Sequence, residues 1–170
     1  MQMNENLNEN LNANDNVKKA YQRLTALCAR GEHCQQDLLT KMRQWGLNDQ
    51  EQALVMERMV SERYVDDERY ARAFVSDKVN FAKWGRRKVE QALWMKRIDS
   101  DTATRVLNEV DDQQYIDTLR PLLRQKRRTT KAANERELNQ KLMRFALSRG
   151  FTMDIIRQCM EVNDEDDVLD

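Results

Sequence analysis

Apolar residues in this chain recur at steps of three and four, and the same arrangement returns three times. Tyr21, Leu24, Leu27 and Cys28 share one face of a helix expected over about residues 17–30. Leu38, Leu39, Met42 and Trp45 stripe a second helix, and Leu54, Val55, Met59 and Val60 a third. Tyr70, Phe74 and Val75 open the next group, followed by Val89, Ala92 and Leu93, then Ala103, Val106 and Leu107. The last group runs from Tyr115, Leu119, Leu122 and Leu123 through Leu138, Leu142, Phe145 and Ala146 to Ile155, Ile156, Cys159 and Met160.

The groups are in register. Gly46-Leu47, Arg97-Ile98 and Gly150-Phe151 hold equivalent places, 51 and 53 residues apart. Two positions after each anchor stands a helix-capping side chain: Asn48, Asp99, Thr152. Eight positions before each stands an apolar one: Leu38, Val89, Leu142. Nine after come Val55, Val106 and Cys159, and ten after come Met56, Leu107 and Met160. A fixed period of this length is the signature of a repeat architecture. The expected fold is all-α: three tandem three-helix repeats forming an elongated, curved array. The repeats fall at 17–64, 65–110 and 111–163, between a disordered Asn-rich tail (1–16) and an acidic tail (164–170). Each unit of about 50 residues buries a marginal core alone, so stacking on a neighbour supplies the rest.

Local signals agree. Asn48-Asp-Gln-Glu51 is a capping box, and Cys34-Gln-Gln-Asp37 is the same motif with a weak cap residue. Asp66-Asp67-Glu68 and Asp111-Asp112 place carboxylates at helix starts, where they oppose the dipole. Pro121 lies inside the third group and is expected to kink or restart its helix. The polar stretch 126–134 makes that repeat longer, as a long loop or an extended helix.

Composition narrows the picture. One proline and four glycines leave little room for a turn-rich β fold. The longest apolar runs have four residues, as in Ala92–Met95, against roughly 20 for a membrane span. No secretory signal pattern opens the chain, and three cysteines without metal-ligand spacing read as reduced thiols. A cytoplasmic monomer is the expectation. Lys and Arg balance Asp and Glu at 29 each, but the charge is segregated. Residues 78–97 hold seven cations against Glu90; residues 120–149 hold ten against Glu135 and Glu137; residues 154–170 hold seven acids against Arg157. Two basic segments suit a polyanion or an acidic groove. Lys83, Arg86, Arg87 and Lys88 form the first candidate contact patch, and Arg127, Arg128 and Lys131 the second. Trp84, beside Gly85, reads as a plug at a helix junction, and Trp94 as packing or stacking.

No catalytic chemistry is visible. His33 stands beside Cys34, but neighbours at a helix start diverge and no orienting third group is evident. Nucleotide-binding, hydrolase and metal-ligand motifs are missing, so no catalytic residue, cofactor or metal is expected.

The segment Asp66-Asp67-Glu68-Arg69-Tyr70-Ala71-Arg72-Ala73-Phe74-Val75, continued by Lys83-Trp84-Gly85-Arg86-Arg87-Lys88-Val89 and by Leu93 to Ile98, resembles the central signature of the RecX family of bacterial recombination regulators. Arg30–Leu38 and the Leu138, Leu142, Arg149-Gly150-Phe151, Ile155 series extend the resemblance over roughly residues 17–162. Asp66, Asp67, Arg69, Tyr70, Phe74, Gly85, Val89 and Leu93 carry the motif. The resemblance implies a curved chain of three-helix repeats that binds the RecA filament and limits its ATP hydrolysis, strand exchange and extension, with single-stranded DNA as a further candidate partner. Cys34 stands where the family has a Ser or Thr cap. Arg97 stands where a glycine is common, and a side chain in the left-handed conformation carries a cost. The alternative reading is a helical protein that binds DNA directly through the two basic segments.

Overall fold

The computed structural model describes residues 14–166, with side chains to residue 160. Residues 1–13 of the Asn-rich tail and 167–170 of the acidic one lie outside that range. Among the described residues there are nine α-helices and no strand. They are α1 (Asp15–Arg30), α2 (Gln35–Gln44), α3 (Asp49–Ser61), α4 (Asp67–Asn80), α5 (Arg86–Met95), α6 (Ser100–Leu107), α7 (Asp112–Thr129), α8 (Glu135–Ser148) and α9 (Met153–Asp166). The all-α repeat expected from the periodicity is therefore the fold. Packing divides the chain into two compact units: residues up to Ala73 with Lys96–Ile98, and Phe74–Met95 with Asp99 onward.

The repeated positions are core positions. Leu38, Val89 and Leu142 are fully buried, as are Met42, Leu93 and Ala146 four residues before each anchor. Val55, Val106 and Cys159 are buried too, and so are Leu47, Ile98 and Phe151 just after the anchors. The first unit's core joins Val17, Ala20 and Leu24 of α1 to Leu38, Met42, Leu47, Val55, Met59 and Val65. The α1 face is thus rotated from the expected one: Val17 and Ala20 lie inside, while Tyr21, Leu27 and Cys28 pack at its margin. Val60, expected inside, is 43% exposed. Residues 14–16, assigned to the tail, are instead the cap and first turn of α1, with Asn14 accepting the Asn16 N–H. Pro121 does not restart its helix. Helix α7 runs unbroken through it, and the exposed proline leaves only the exposed Asp117 carbonyl without its helical donor. The longer stretch resolves into both of its alternatives: helix to Thr129, then a loop over 130–134.

The anchors are left-handed turns. Gly46 (φ +81°), Arg97 (φ +54°) and Gly150 (φ +90°) all have positive φ. At the two glycines the N–H of the anchor reaches back three residues, Gly46 to Arg43 and Gly150 to Leu147. The next N–H reaches five, Leu47 to Met42 and Phe151 to Ala146. This Schellman pairing satisfies the last helical carbonyls. Arg97 holds the same conformation with a β-carbon.

A second offset links successive repeats. Twelve residues before the first two anchors stand Cys34 and Gly85. Each meets the carbonyl of the residue preceding the next anchor. The Cys34 thiol lies 3.9 Å from the Lys96 carbonyl, and the Gly85 N–H donates to the Arg149 carbonyl at 2.9 Å. In the second unit the contact is backbone on backbone: the Arg87 N–H also donates to Gly150 (3.0 Å), and a β-carbon on Gly85 would sit 2.2 Å from the Phe151 nitrogen. In the first unit side chains make the junction. Cys34, expected to be only a weak cap, is buried, and burial pushes its thiol up to about 11. The Asp67 carboxylate accepts the Gln35 N–H at 2.8 Å, so this motif residue caps α2 as well as opening α4. Lys96 Nζ donates to Asp37 at 2.7 Å.

Four outcomes follow from this packing. Leu93→Ala is expected to destabilise the protein by about 2–5 kcal/mol in denaturant unfolding, the range for a closed leucine site; an unchanged midpoint would place Leu93 outside the core. Arg97→Gly is expected to raise stability by about 1 kcal/mol by removing left-handed strain, whereas Gly85→Ala lowers it by about 1–3 kcal/mol, because backbone rather than a side-chain tip blocks the added carbon. The Asp37–Lys96 pair sets a pH dependence. Burial raises the Asp37 carboxyl, but the Lys96 ammonium and the Cys34 N–H outweigh it and hold the group below its ordinary value. A carboxyl lowered in this way contributes its stability fully above the ordinary pKa of about 4, and loses it as pH falls through the lowered value. Asp67, raised chiefly by burial, has the opposite sign. Asp37→Asn should therefore cost about 1 kcal/mol at pH 7, as for a partly exposed pair, with the deficit shrinking in unfolding curves taken toward pH 2.

Candidate functional site

Eight of the nine described helices carry a carboxylate in the first turn; α5 carries none. Its first turn is Arg86-Arg87-Lys88, three cations at the positive end of a helix dipole. The structure shows what offsets them. Main-chain carbonyls of Arg149 and Gly150, at the C-terminal end of α8, accept the Gly85 and Arg87 N–H groups. The negative end of one helix thus meets the positive end of the other, and the first-turn side chains need not supply the counter-charge.

Around this junction two aromatic rings each gather two cations. Lys78 Nζ and Lys88 Nζ lie 5.0 and 4.5 Å from the Trp84 ring centre. Lys126 Nζ and the Arg149 guanidinium lie 5.1 and 5.4 Å from that of Phe145. These are cation–π distances. Lys78 also sits 5.4 Å from the Phe74 ring. Arg149 ties the two groups together, since its Nη1 donates to the Ala82 carbonyl at 3.4 Å, immediately before Lys83 and Trp84. Among the described residues no carboxylate lies within ion-pair distance of Lys88, Lys126 or Arg149, and Lys78 is 3.6 Å from its neighbour Asp77. The result is a connected basic and aromatic surface on the second unit, with Phe81 80% exposed at its edge.

The basic residues singled out from the sequence divide between this surface and internal roles. Lys88 belongs to it. Lys83 is exposed, in a left-handed turn (φ +57°) beside Trp84. Arg87 and Arg128 are exposed; Lys131 is exposed, and its carbonyl accepts the Lys141 ammonium. Arg86 instead donates to Asn108 Oδ1 at 2.8 Å and lines a cavity of about 40 Å³ with Asp112, Tyr115, Phe151, Thr152 and Ile155. That volume holds water rather than a nucleotide. Arg127 pairs with Glu135 at 3.2 Å and reaches Asn139. Arg86 packs at the start of α7 and Arg127 near its end, about 22 Å apart at 1.5 Å per residue. Lys78, Lys126, Arg149 and Phe145 were not singled out. Their signal was weak: an aromatic and a cation at (i, i+4), as in Phe74/Lys78, Trp84/Lys88 and Phe145/Arg149, is common on any helix.

The motif residues are mostly structural. The Asp66 carboxylate caps α4 at Arg69 N–H. Arg69 pairs with Glu32 at 2.6 Å and donates to the Arg63 carbonyl, closing the end of α3. Tyr70 is buried, and burial among Cys34, Asp37 and Asp67 raises its hydroxyl. Val89 and Leu93 are core, Gly85 is the backbone dock, and Phe74 lies half-buried under Lys78. Trp84 is half-buried at its junction, clasped by lysines, whereas Trp94 is 76% exposed. Among the described residues no cluster of three or more His, Cys, Asp or Glu side chains could hold a metal, and no helix is long and apolar enough to cross a membrane.

Comparison with known proteins gives one answer. The family model for the second three-helix domain of RecX matches residues 66–107, and that for the third three-helix domain matches 112–160, together more than half of the chain. A "Regulatory protein RecX" of Chromobacterium violaceum is 28% identical over 85% of this chain and 91% of its own length. One of Acinetobacter baylyi is 29% identical over 83% and 86%. One of Geobacillus thermodenitrificans is 25% identical over 84% of this chain, which spans only 53% of that relative. The crystal structure of RecX from Lactobacillus salivarius superposes with a TM-score of 0.81 at 19% identity, covering 88% of this chain and 97% of that one, and so shares the fold. The chain belongs to the RecX family of regulatory proteins.

Proposed function

We propose that this protein modulates the RecA recombinase, binding the RecA–single-stranded DNA filament and limiting its ATP hydrolysis, strand exchange and extension. It does so as a cytoplasmic monomer without a cofactor. Family membership supports the partner. The observation that supports the site is the set of cations gathered on Trp84 and Phe145, of which Lys88, Lys126 and Arg149 have no carboxylate partner among the described residues. A nucleoprotein filament is a dense polyanion, and unpaired cations beside it release counterions on binding. Lys83, Arg87, Arg128 and Lys131 extend the contact; Arg86 and Arg127 support it from within.

Lys88→Glu/Lys126→Glu tests this reading. Both side chains leave their ion-pairing potential unused, and glutamate keeps the Lys88 β-carbon that packs against Gly150. The double variant is expected to keep its helical circular dichroism and thermal midpoint. Its inhibition of RecA ATPase on single-stranded DNA should fall about tenfold or more, and inhibition by the parent should weaken with salt. Equal inhibition by the folded variant across a salt series would remove the surface from the mechanism.

A further inference from the structure

We infer that the chain regulates its own basic surface: the acidic segment 161–170 docks on the exposed cations at the end of α7, Arg124, Lys126 and Arg128, and screens them until a denser polyanion displaces it. The inference rests on the proposal above that this surface is the working one, and names what regulates it.

Three features select this occupant. The first is where the segment starts. Helix α9 runs beside α7 in the same direction: Ile155 meets Asp112 and Tyr115 around the small cavity, and one turn later the Cys159 Sγ lies 3.8 Å from the Ile116 carbonyl. Asp166, where α9 ends, is eleven residues past Ile155, as Lys126 is eleven past Tyr115. Both therefore lie about 16 Å along their helices from the cavity. Packed helices are about 8–10 Å apart, and four further residues, 167–170, can span up to about 13 Å. The second feature is charge. Residues 161–170 hold six carboxylates and no cation. On α7, Arg127 is paired with Glu135, but Arg124, Lys126 and Arg128 are exposed and, among the described side chains, have no carboxylate partner. The third is the helix dipole. The last turn of α9 reads Asn163-Asp164-Glu165-Asp166 without a cation, so its acids stand at the negative end of their own helix. Local stability disfavours them there, and the cations of α7, at the same level on the neighbouring helix, offset them. Lys126 also shares the Phe145 ring with Arg149, so a segment seated on it covers one edge of the basic and aromatic surface. Tethered this closely, it competes at an effective concentration on the order of millimolar.

The test uses the full chain. A water-soluble carbodiimide joins a carboxylate to an amine in direct contact, forming an amide and releasing water. Treated in dilute solution and recovered as monomer, the parent should link Lys126 to an acid of 161–170 in preference to the exposed Lys18 and Lys19, and lose that link in high salt. Heparin, a polyanion unrelated to RecA, then reads the screening. Asp164→Asn/Glu165→Gln/Asp166→Asn/Asp167→Asn should bind heparin about fivefold or more tighter at low salt. Lys126→Gln should weaken heparin binding about threefold more in that background than in the parent, where the segment already occupies the charge. A change of net charge alone would add the two effects without coupling. Thermal midpoints confirm that the variants are folded. Lack of a selective Lys126 link, or additive effects on heparin binding, overturns the inference. Loss of RecA inhibition in Lys88→Glu/Lys126→Glu would in that case still uphold the proposed function. A selective link with coupled effects on heparin, while Lys88→Glu/Lys126→Glu inhibits RecA as the parent does, gives the converse: the docking is right and the proposed function is wrong.

Discussion

The contact on which the rest of the second unit depends is the approach of two backbones at Gly85 and Gly150. No β-carbon separates them: one on Gly85 would strike the Phe151 nitrogen at 2.2 Å, and one on Gly150 would strike the Lys88 β-carbon at 2.4 Å. The closeness lets two N–H groups at the start of α5 reach two carbonyls at the end of α8. A helix start otherwise needs a capping side chain or water for those donors. Here the next repeat's turn provides the acceptors, so folding of one repeat completes the other. Such nearest-neighbour terms stabilise repeat proteins whose single units are marginal.

The corresponding junction in the first unit solves the same problem with side chains. Cys34 takes the position of Gly85, and its thiol rather than an N–H faces the Lys96 carbonyl. Asp67 supplies the acceptor for Gln35, and Asp37, at the position of Lys88, holds Lys96, at the position of Arg149. The consequence is a difference in kind. The backbone junction does not titrate and tolerates no added carbon. The side-chain junction contains ionisable groups at every contact and admits a β-carbon at Cys34 and at Arg97.

Much of the fold was legible because it is periodic. A buried position that recurs in three repeats is read three times, and agreement at Leu38, Val89 and Leu142 outweighs noise in any one helix. The left-handed anchor was legible even at Arg97, because its two equivalents are glycines. Marginal positions such as Val60 and Tyr21 failed, since a face about 100° wide leaves its edges to be decided by neighbours distant in sequence. The site was legible only as charge. Charge counts located the basic segments but could not separate Arg86 and Arg127, which are used internally, from Lys126 and Arg149, whose positions depend on the ring of Phe145. Nor could a single strand of sequence show that Gly85 is needed for its contact with Gly150, 65 residues away, rather than for its turn.

Fold and site meet at the start of α5. Three cations in the first turn of a helix would ordinarily cost a few tenths to about 1 kcal/mol each against the dipole. The Arg149 and Gly150 carbonyls offset that dipole from the neighbouring repeat, and Trp84 then holds Lys88 and Lys78 over its ring. The repeat junction therefore does more than stack helices. It removes the demand for a carboxylate at this one helix start, leaving Lys88 positive with its charge turned to the aromatic ring. A substitution that loosens the Gly85–Gly150 contact should for that reason weaken polyanion binding together with stability. One that removes only the Lys88 charge separates the two effects.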